Sequence, residues 1–172
     1  MTEIQDRQRI LRRGDVVLEI GSSPGGWSSV INSITQSQVL SIDTARMNPV
    51  NNVTFIRSDI MNPEVETGIS RFLLDNKKDK FDVILSDAMI KTSGSIDVDH
   101  SSSYLICERV MKLSSKFLKN EGKVLVKQFQ GDLTRSFIEK WKVHFQSSRI
   151  IKPKASRQSS SEIYILFKGF RP

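Results

Sequence analysis

The amino-acid sequence predicts an α/β fold: a seven-stranded, mostly parallel sheet with helices on both faces and an antiparallel hairpin at the carboxy-terminal end. Two observations support this prediction. Short runs rich in β-branched and other apolar residues alternate with segments whose apolar residues recur at helical spacing. The last two apolar runs are joined by a polar loop instead of a helix, which is typical of antiparallel neighbours.

The order of the elements follows from these patterns. The predicted strands are residues 16–20, 39–43, 53–57, 81–86, 123–127, 148–151 and 162–167. The predicted helices are residues 26–34, 64–76, 102–118 and 133–144, the last with Asp132 as its N-cap. The sequence has no repeat, linker or domain boundary, so residues 1–172 are predicted to form a single domain.

Composition restricts the class of protein. The chain has 172 residues, 38% of them hydrophobic, which suffices for one core, and it has no apolar run long enough to span a bilayer. Its amino end lacks the basic-then-apolar order of a secretion signal, and its one cysteine, Cys107, cannot form an internal disulfide. We therefore expect a soluble, cytoplasmic protein without membrane contact, in which Cys107 is a buried structural thiol.

The net charge of +7 is unevenly distributed. Residues 140–172 hold eight Lys or Arg and one acid, Glu162, so this segment supplies the whole excess. A second basic cluster near the start consists of Arg7, Arg9, Arg12 and Arg13. A solvated charged face is the alternative interpretation, but so strong an imbalance favours binding of nucleic acid.

A glycine-rich turn follows the first predicted strand, within residues 16–27. Gly21, Gly25 and Gly26 tolerate positive φ and allow the backbone to approach a ligand closely, so we interpret the turn as a nucleotide-cofactor loop. An ordinary strand-to-helix turn is the alternative, since a glycine loop alone is a weak signal.

Acidic residues end or follow four consecutive strand patterns, and a doubly wound sheet binds its ligands beyond the carboxyl ends of its strands. Asp43 lies where a carboxylate accepts hydrogen bonds from ribose hydroxyls, and Asp59 is placed to accept from an adenine amino group. Capping of the following turn is the alternative for both residues. The four acids are Glu19, Asp43, Asp59 and Asp87, and Lys127 ends the fifth strand.

Four motifs in this order resemble the FtsJ/RrmJ family of RNA 2′-O-methyltransferases over nearly the whole chain. They are PGGW at 24–27, Ser86-Asp87, VKQFQG at 126–131, and Ser156-Arg157 followed by Glu162-Ile163-Tyr164. The resemblance implies a Rossmann-like methyltransferase fold, S-adenosylmethionine as cofactor and RNA as substrate. The compact size is most similar to that of enzymes acting on a uridine of large-subunit ribosomal RNA, with transfer RNA as the alternative.

The resemblance also implies the cofactor-binding positions. Asp43 would bind the ribose, Asp59 would face the adenine, and Asp87 would lie beside the methionine end. A tryptophan that opens a helix is usually a packing residue, so the cofactor contact expected at Trp27 would not depend on its indole. The full set of matching positions is Gly21, Gly25, Trp27, Asp43, Asp59 and Asp87.

The family's catalytic Lys-Asp-Lys-Glu set matches Asp87, Lys127 and Glu162 in this chain. In relatives the first lysine lies just before the segment that matches Glu3, so we expect it immediately upstream of Met1, in a natural protein with a few more residues. Lys127 would either accept the proton of the ribose hydroxyl or, as an ammonium held by the acids, orient that hydroxyl. A surface ion pair is the alternative for Lys127 and Glu162.

If the substrate is RNA, we expect both basic clusters to contact its phosphates. Such contacts would position the RNA without reading its sequence. Relatives usually have Asp in place of Glu19, and a proline-bearing loop in place of residues 88–94, which border the substrate. The residues expected to contact phosphates are Arg7, Arg9, Arg12, Arg13, Lys152, Lys154 and Arg157.

No metal site is predicted, because His100 and His144 are isolated and are expected to be surface or packing residues. We expect the protein to act as a monomer. Two other functions compete with RNA methylation: methylation of a small molecule or protein, and RNA binding without catalysis by a module that keeps the fold.

Overall fold

A computed structural model describes residues 1–89, 94–153 and 161–172, without the side chains of residues 96 and 97. The strands in these ranges are β1 (Val17–Ile20), β2 (Val39–Asp43), β3 (Val53–Arg57), β4 (Phe81–Ser86), β5 (Leu118–Phe129), β6 (Phe145–Ile151) and β7 (Glu162–Phe170). The helices are α1 (Thr2–Gln8), α2 (Gly26–Thr35), α3 (Val65–Asp75), α4 (Ile96–Phe117) and α5 (Leu133–Lys142).

The strands form a single sheet in the order β3-β2-β1-β4-β5-β7-β6. Strands β1 to β5 pair in parallel, and β7 is antiparallel to both of its neighbours, β5 and β6. The predicted seven-stranded, mostly parallel sheet and its terminal hairpin are therefore confirmed. The sequence did not indicate that β7 would insert between β5 and β6, which brings the start of β7 beside the end of β5.

Two apolar layers cover the two faces of the sheet, as predicted. Helices α3, α4 and α5 pack on one face, around residues such as Phe72, Met111 and Phe137. Helices α1 and α2 pack on the other face, around Ile4 and Ile31. No helix in the described part of the chain is both long and apolar enough to cross a membrane.

Cys107 is buried on the inner side of α4, where its thiol donates a hydrogen bond to the backbone carbonyl of Lys127 over 3.1 Å. Burial raises the pKa of this thiol well above its ordinary value, so it remains protonated and unreactive. The prediction of a buried structural thiol is confirmed, and the thiol also fixes the backbone at the end of β5.

No sequence pattern indicated α1, because only Ile4 of this short helix is buried, which leaves no helical period to detect. The sequence patterns also placed the starts of β5 and β6 too late. Asp132 is the N-cap residue of α5, as predicted, but its side chain makes no capping hydrogen bond. Instead, the backbone N–H of Leu133 donates to Nε2 of the buried His100 over 3.1 Å, and Nδ1 of the same ring lies 2.7 Å from the carbonyl oxygen of Phe129.

Glu19 lies in the core and not among the ligand-facing acids at the strand ends. Its side chain is 0% exposed, and its Oε2 accepts hydrogen bonds from the hydroxyls of Ser28 on α2 and Ser41 on β2. These bonds tie the first helix after the glycine-rich turn to the two central strands. Burial raises the pKa of Glu19 to about 7, although both serine hydrogen bonds oppose this change.

Replacing Glu19 with Gln should remove a pH dependence of stability. The folded protein retains the carboxyl proton up to about pH 7, whereas the unfolded chain loses it near the ordinary pKa of 4.5. Because the native state binds more protons in this window, the free energy of unfolding falls as pH rises from 4.5 to 7. The total contribution is on the order of 3 kcal/mol.

Urea unfolding of wild type and Glu19→Gln between about pH 4 and about pH 8 measures this difference. The exposed Glu64→Gln is the matched control and should keep the wild-type slope. Parallel pH profiles for wild type and Glu19→Gln would contradict the assignment.

Candidate functional site

A cavity of about 540 Å³ opens at the carboxyl ends of β1 to β4. Its lining combines carboxylates with apolar side chains: Asp43, Asp59 and Asp87 lie around it, and Ile60 and Ile106 form part of its wall. A concave site with apolar walls and a few polar groups at the strand ends of a doubly wound sheet is a typical ligand site.

Gly21 allows the end of β1 to touch the end of β4. It has φ +81°, and a Cβ atom at this position would lie 2.4 Å from the backbone nitrogen of Ala88. The amide of Asp87 donates to the carbonyl of Ile20 over 2.9 Å, which fixes the same contact. Glycine is therefore required here by both backbone conformation and space, and the close approach places Asp87 at the cavity.

Asp43 caps two turns and also lines the cavity. Its carboxylate accepts hydrogen bonds from the backbone N–H of Ser23 in the glycine-rich turn and of Ala45 in its own turn, each over 2.8 Å. It also lines the cavity, and a carboxylate has about four acceptor positions, so capacity for a ligand remains. Asp59 likewise caps its turn, through the N–H of Met61 over 2.9 Å, and lines the cavity.

Gly25 and Trp27 lie outside the described cavity lining. Gly25 has φ +115° and is the N-cap residue of α2, so it shapes the glycine-rich turn. The indole of Trp27 stacks on Tyr164 of β7, with ring centroids 5.8 Å apart. The structure thus gives Trp27 a packing contact, as expected for a tryptophan that opens a helix.

The predicted catalytic residues come together at the edge of the cavity, although they lie on three different strand ends. Nζ of Lys127 lies 3.4 Å from Oδ1 of Asp87 and 3.5 Å from Oε1 of Glu162. The Lys127 side chain is 14% exposed, so this is a half-enclosed cluster and not a pair on the open surface. In β5 and β7, Phe129 is the register partner of Glu162, which explains the approach.

Tyr164 is a member of this cluster to which the sequence assigned no role. It is the register partner of Lys127, and its hydroxyl donates to Oδ1 of Asp87 over 2.6 Å. The sequence pattern that could have identified Tyr164 is the period of two along β7, which places Glu162 and Tyr164 on one face of the strand.

The chain enters α1 beside the same cluster. The charge of Asp87 acts on the amino group of Met1, whose pKa is nevertheless lowered because burial outweighs that attraction. The lysine expected upstream of Met1 stays a prediction. In the described residues, no group of three His, Cys, Asp or Glu side chains is arranged to hold a metal ion.

The structure separates the basic residues that were predicted to act together. Lys152 is exposed and follows Ile151, which is the register partner of Tyr164, so Lys152 lies at the edge that carries the cavity. Lys154 and Arg157 lie outside the described residues.

The amino-terminal basic cluster lies elsewhere. Arg7 pairs with Glu3 of its own helix over 3.4 Å. The segment after α1 leads to the start of β1. Its arginines therefore lie opposite to the cavity, at the edge of the sheet that is formed by the amino-terminal ends of the parallel strands. These residues are Arg9, Arg12 and Arg13, all exposed.

Comparison with known proteins agrees with this fold and site. The chain matches the FtsJ-like methyltransferase family model over residues 1–170. It is 52% identical to ribosomal RNA large subunit methyltransferase E of Picrophilus torridus, over 96% of this chain and 85% of that protein. It is 42% identical to the protein of the same name from Thermoplasma acidophilum, over 96% of this chain and 80% of that one.

Solved structures show the same architecture. A ribosomal RNA methyltransferase from Plasmodium falciparum superposes with a TM-score of 0.86 at 29% identity, over 98% of this chain and 93% of that chain. A methyltransferase from Streptococcus mutans in complex with SAH gives a TM-score of 0.61 at 9% identity, over 94% and 90% of the two chains, and so shows the fold alone. The fold is the predicted Rossmann-like methyltransferase fold, and the chain belongs to the FtsJ-like methyltransferase family.

Proposed function

We propose that this protein transfers a methyl group from S-adenosylmethionine to a ribose 2′-hydroxyl of RNA, most specifically to a uridine of large-subunit ribosomal RNA. The observation that carries the proposal is the cluster of Lys127, Asp87 and Glu162 beside a cavity lined by carboxylates. Relatives with 52% and 42% identity are named ribosomal RNA large subunit methyltransferase E, which supports this choice of RNA.

The lining of the cavity fits the proposed cofactor. S-adenosylmethionine carries ribose hydroxyls, an adenine amino group, an ammonium and a sulfonium, all of which are donors or cations that suit carboxylates. Asp43 would accept from the ribose hydroxyls, Asp59 from the adenine amino group, and Asp87 would face the charged methionine end. Apolar side chains such as Ile60 and Ile106 supply a surface for a flat ring.

The cofactor supplies an electrophilic methyl group on a positively charged sulfur. The new bond joins the ribose 2′-oxygen to the methyl carbon while the carbon–sulfur bond breaks, and the hydroxyl proton is released. A neutral thioether remains, so charge balances. The protein must hold the hydroxyl oxygen in line with the methyl carbon, and such alignment can contribute several kcal/mol.

Lys127 is assigned the task of orienting the hydroxyl. Its Nζ lies within 3.5 Å of two carboxylates, and an ammonium held there can donate a hydrogen bond but cannot accept a proton. An ammonium that donates to the 2′-oxygen would direct a lone pair of that oxygen toward the methyl group. Proton loss then occurs late, to water or to a carboxylate of the cluster.

Asp87 and Glu162 hold Lys127 from two sides, and Tyr164 in turn holds Asp87 through its 2.6 Å hydrogen bond. Because Tyr164 is packed against Trp27, the glycine-rich turn and the catalytic cluster are mechanically connected. Lys152, exposed at the same edge, is suited to hold a phosphate of the RNA near the target nucleotide.

The direct test is methyl transfer to large ribosomal subunits from cells that lack this gene, with purified protein and methyl-labelled S-adenosylmethionine. We expect label in large-subunit RNA, recovered after digestion as a 2′-O-methylated uridine. Label on a base or a ribosomal protein would overturn the assigned chemistry. Label only in transfer RNA would overturn the assigned RNA, and RNA binding without any transfer would favour a non-catalytic module.

Lys127→Ala should lower kcat/KM for methyl transfer by roughly 10²- to 10⁴-fold, the usual effect of losing a positioned proton-handling or orienting group. Binding of S-adenosylmethionine, measured by calorimetry, should change little. The exposed Lys112→Ala removes the same charge from the middle of α4 and serves as the matched control.

Lys127→Arg separates the two roles of the lysine, because arginine keeps the positive charge and does not lose its proton in proteins. The orienting role predicts that Lys127→Arg retains clearly more activity than Lys127→Ala. Equal loss in both variants, with cofactor binding intact, would favour a neutral amine that acts as a base.

Asp43→Asn should weaken cofactor binding by roughly tenfold to a hundredfold, corresponding to about 1.5–3 kcal/mol for hydrogen bonds to a charged acceptor. Titration calorimetry with S-adenosylhomocysteine measures the change, and thermal unfolding reports whether the turns held by Ser23 and Ala45 persist. The exposed Asp75→Asn on α3 is the matched control. Unchanged affinity in Asp43→Asn would remove Asp43 from the cofactor site.

A further inference from the structure

The segment that joins α1 to β1 presents three arginines at the edge of the sheet opposite to the cavity. We call residues 9–13 the arginine segment. Ile10 is 0% exposed and Leu11 is 3% exposed, so these two side chains anchor the segment in the core. The remaining side chains, Arg9, Arg12 and Arg13, are exposed.

Two lysines of the sheet hold the start of this segment. Nζ of Lys123 donates to the carbonyl of Ile10 over 2.6 Å, and Nζ of Lys168 donates to the carbonyl of Gln8 over 3.0 Å. Lys123 and Lys168 are register partners in β5 and β7. These hydrogen bonds therefore fix the segment at the amino-terminal ends of the parallel strands.

Further hydrogen bonds complete this anchoring. The side chain of Gln5 both donates to the carbonyl of Leu11 and accepts from its N–H, each over 2.9 Å. The N–H of Gly14 donates to the carbonyl of Thr35, the last residue of α2, over 2.7 Å. Because the backbone of the segment is already held in place, binding costs little conformational entropy of the backbone.

The positive charge of this edge exceeds its negative charge, although Lys119 pairs there with Asp82 over 2.7 Å. The guanidinium groups of the arginine segment make no salt bridge within the described ranges 1–89, 94–153 and 161–172. Three acids lie nearby, Asp6, Asp15 and Asp82, against six cations: Arg9, Arg12, Arg13, Lys119, Lys123 and Lys168. Burial lowers the pKa of Lys123, and the like charges of Arg12 and Lys168 lower it further. Such crowding of like charge destabilises a folded protein unless a polyanion binds.

We propose that the arginine segment is a second RNA-binding surface, which holds phosphates of the substrate RNA at a distance from the nucleotide that is methylated. The inference rests on the proposed function, since it adds a second contact to the same RNA. The substrate is then an RNA long enough to contact both edges of the protein, and not a short strand around the target nucleotide.

The separation of the two edges sets the length of RNA required. Lys123 and Lys127 lie on one face of β5, four residues apart, which corresponds to about 13 Å at about 3.3 Å per residue. The arginine segment begins beyond Lys123, so this distance is a lower bound. At a rise of about 3.4 Å per nucleotide along a stacked strand, RNA needs about four nucleotides beyond the target to approach the segment.

The test compares binding of two oligouridine probes, one of about three and one of about 20 nucleotides, to wild type and to the double variant Arg12→Ala/Arg13→Ala over a range of salt concentrations. With the longer probe, loss of two phosphate contacts should reduce the slope of log Kobs against log salt by about 1.4, or roughly 25-fold in affinity at about 0.1 M salt. With the shorter probe the slope should not change.

Two further variants control this comparison. Arg71→Ala/Lys112→Ala removes two exposed positive charges from α3 and α4, on the other face of the sheet, and should keep the wild-type slope. Arg12→Lys/Arg13→Lys keeps the charge and should restore the wild-type slope. If the double alanine variant fails to fold, Arg12→Gln and Arg13→Gln serve singly, each with a slope reduced by about 0.7.

An unchanged slope with the longer probe, or an equal loss with the shorter probe, would overturn the second RNA surface. Loss of binding to polyglutamate without loss of binding to RNA would assign the segment to an acidic protein and also overturn it. Because these measurements need no methyl transfer, they are independent of the proposed function. If wild-type protein shows the expected slopes but transfers no methyl group, the proposed function is wrong and the second RNA-binding surface is still supported.

Discussion

The antiparallel pairing of β7 with β5 is the constraint on which the catalytic cluster depends. A parallel strand at this place would put its carboxyl end, and not its start, beside the end of β5. Because β7 runs the other way, Glu162 and Tyr164 at its start face Phe129 and Lys127 at the end of β5. The lysine thereby gains a second carboxylate, and Asp87 gains the hydroxyl that fixes its position.

Close backbone contact at Gly21 supplies the other half of the site. The absent side chain allows the end of β1 to touch Ala88, so the glycine-rich turn and the residue after β4 form one continuous wall. Behind this wall, the buried Glu19 ties α2 to the strands through Ser28 and Ser41. The glycine-rich turn and the cluster around Lys127 are thus supported from the same interior, and packing of Trp27 on Tyr164 joins them again.

The two edges of the sheet carry different arrangements of charge. At the cavity, Lys127 lies between two acids. At the opposite edge, the guanidinium groups of the arginine segment make no salt bridge within the described chain, and hydrogen bonds to the backbone hold this segment in place. A large, folded polyanion could engage both edges at once, whereas a small substrate would engage only the cavity.

Sequence alone determined the strands, most of the helices and the identity of Asp87, Lys127 and Glu162. Burial patterns are local, and the family's motifs name these residues directly. It did not find α1, whose single buried residue, Ile4, leaves no period, and it placed Glu19 among the ligand-facing acids. These errors share a cause, since the direction of a strand-end side chain and the docking of a short helix depend on distant partners.

Tertiary structure alone decided how the parts combine. Strand order placed β7 inside the sheet, gave Tyr164 its hydrogen bond to Asp87, and separated Lys152 from the amino-terminal arginines by the length of the strands. Hydrogen-bond register and strand order are contacts between residues far apart in the chain, and no local pattern encodes them. The sequence therefore determined which chemical groups are available, and the pairing of β5 with β7 decided which of them act together.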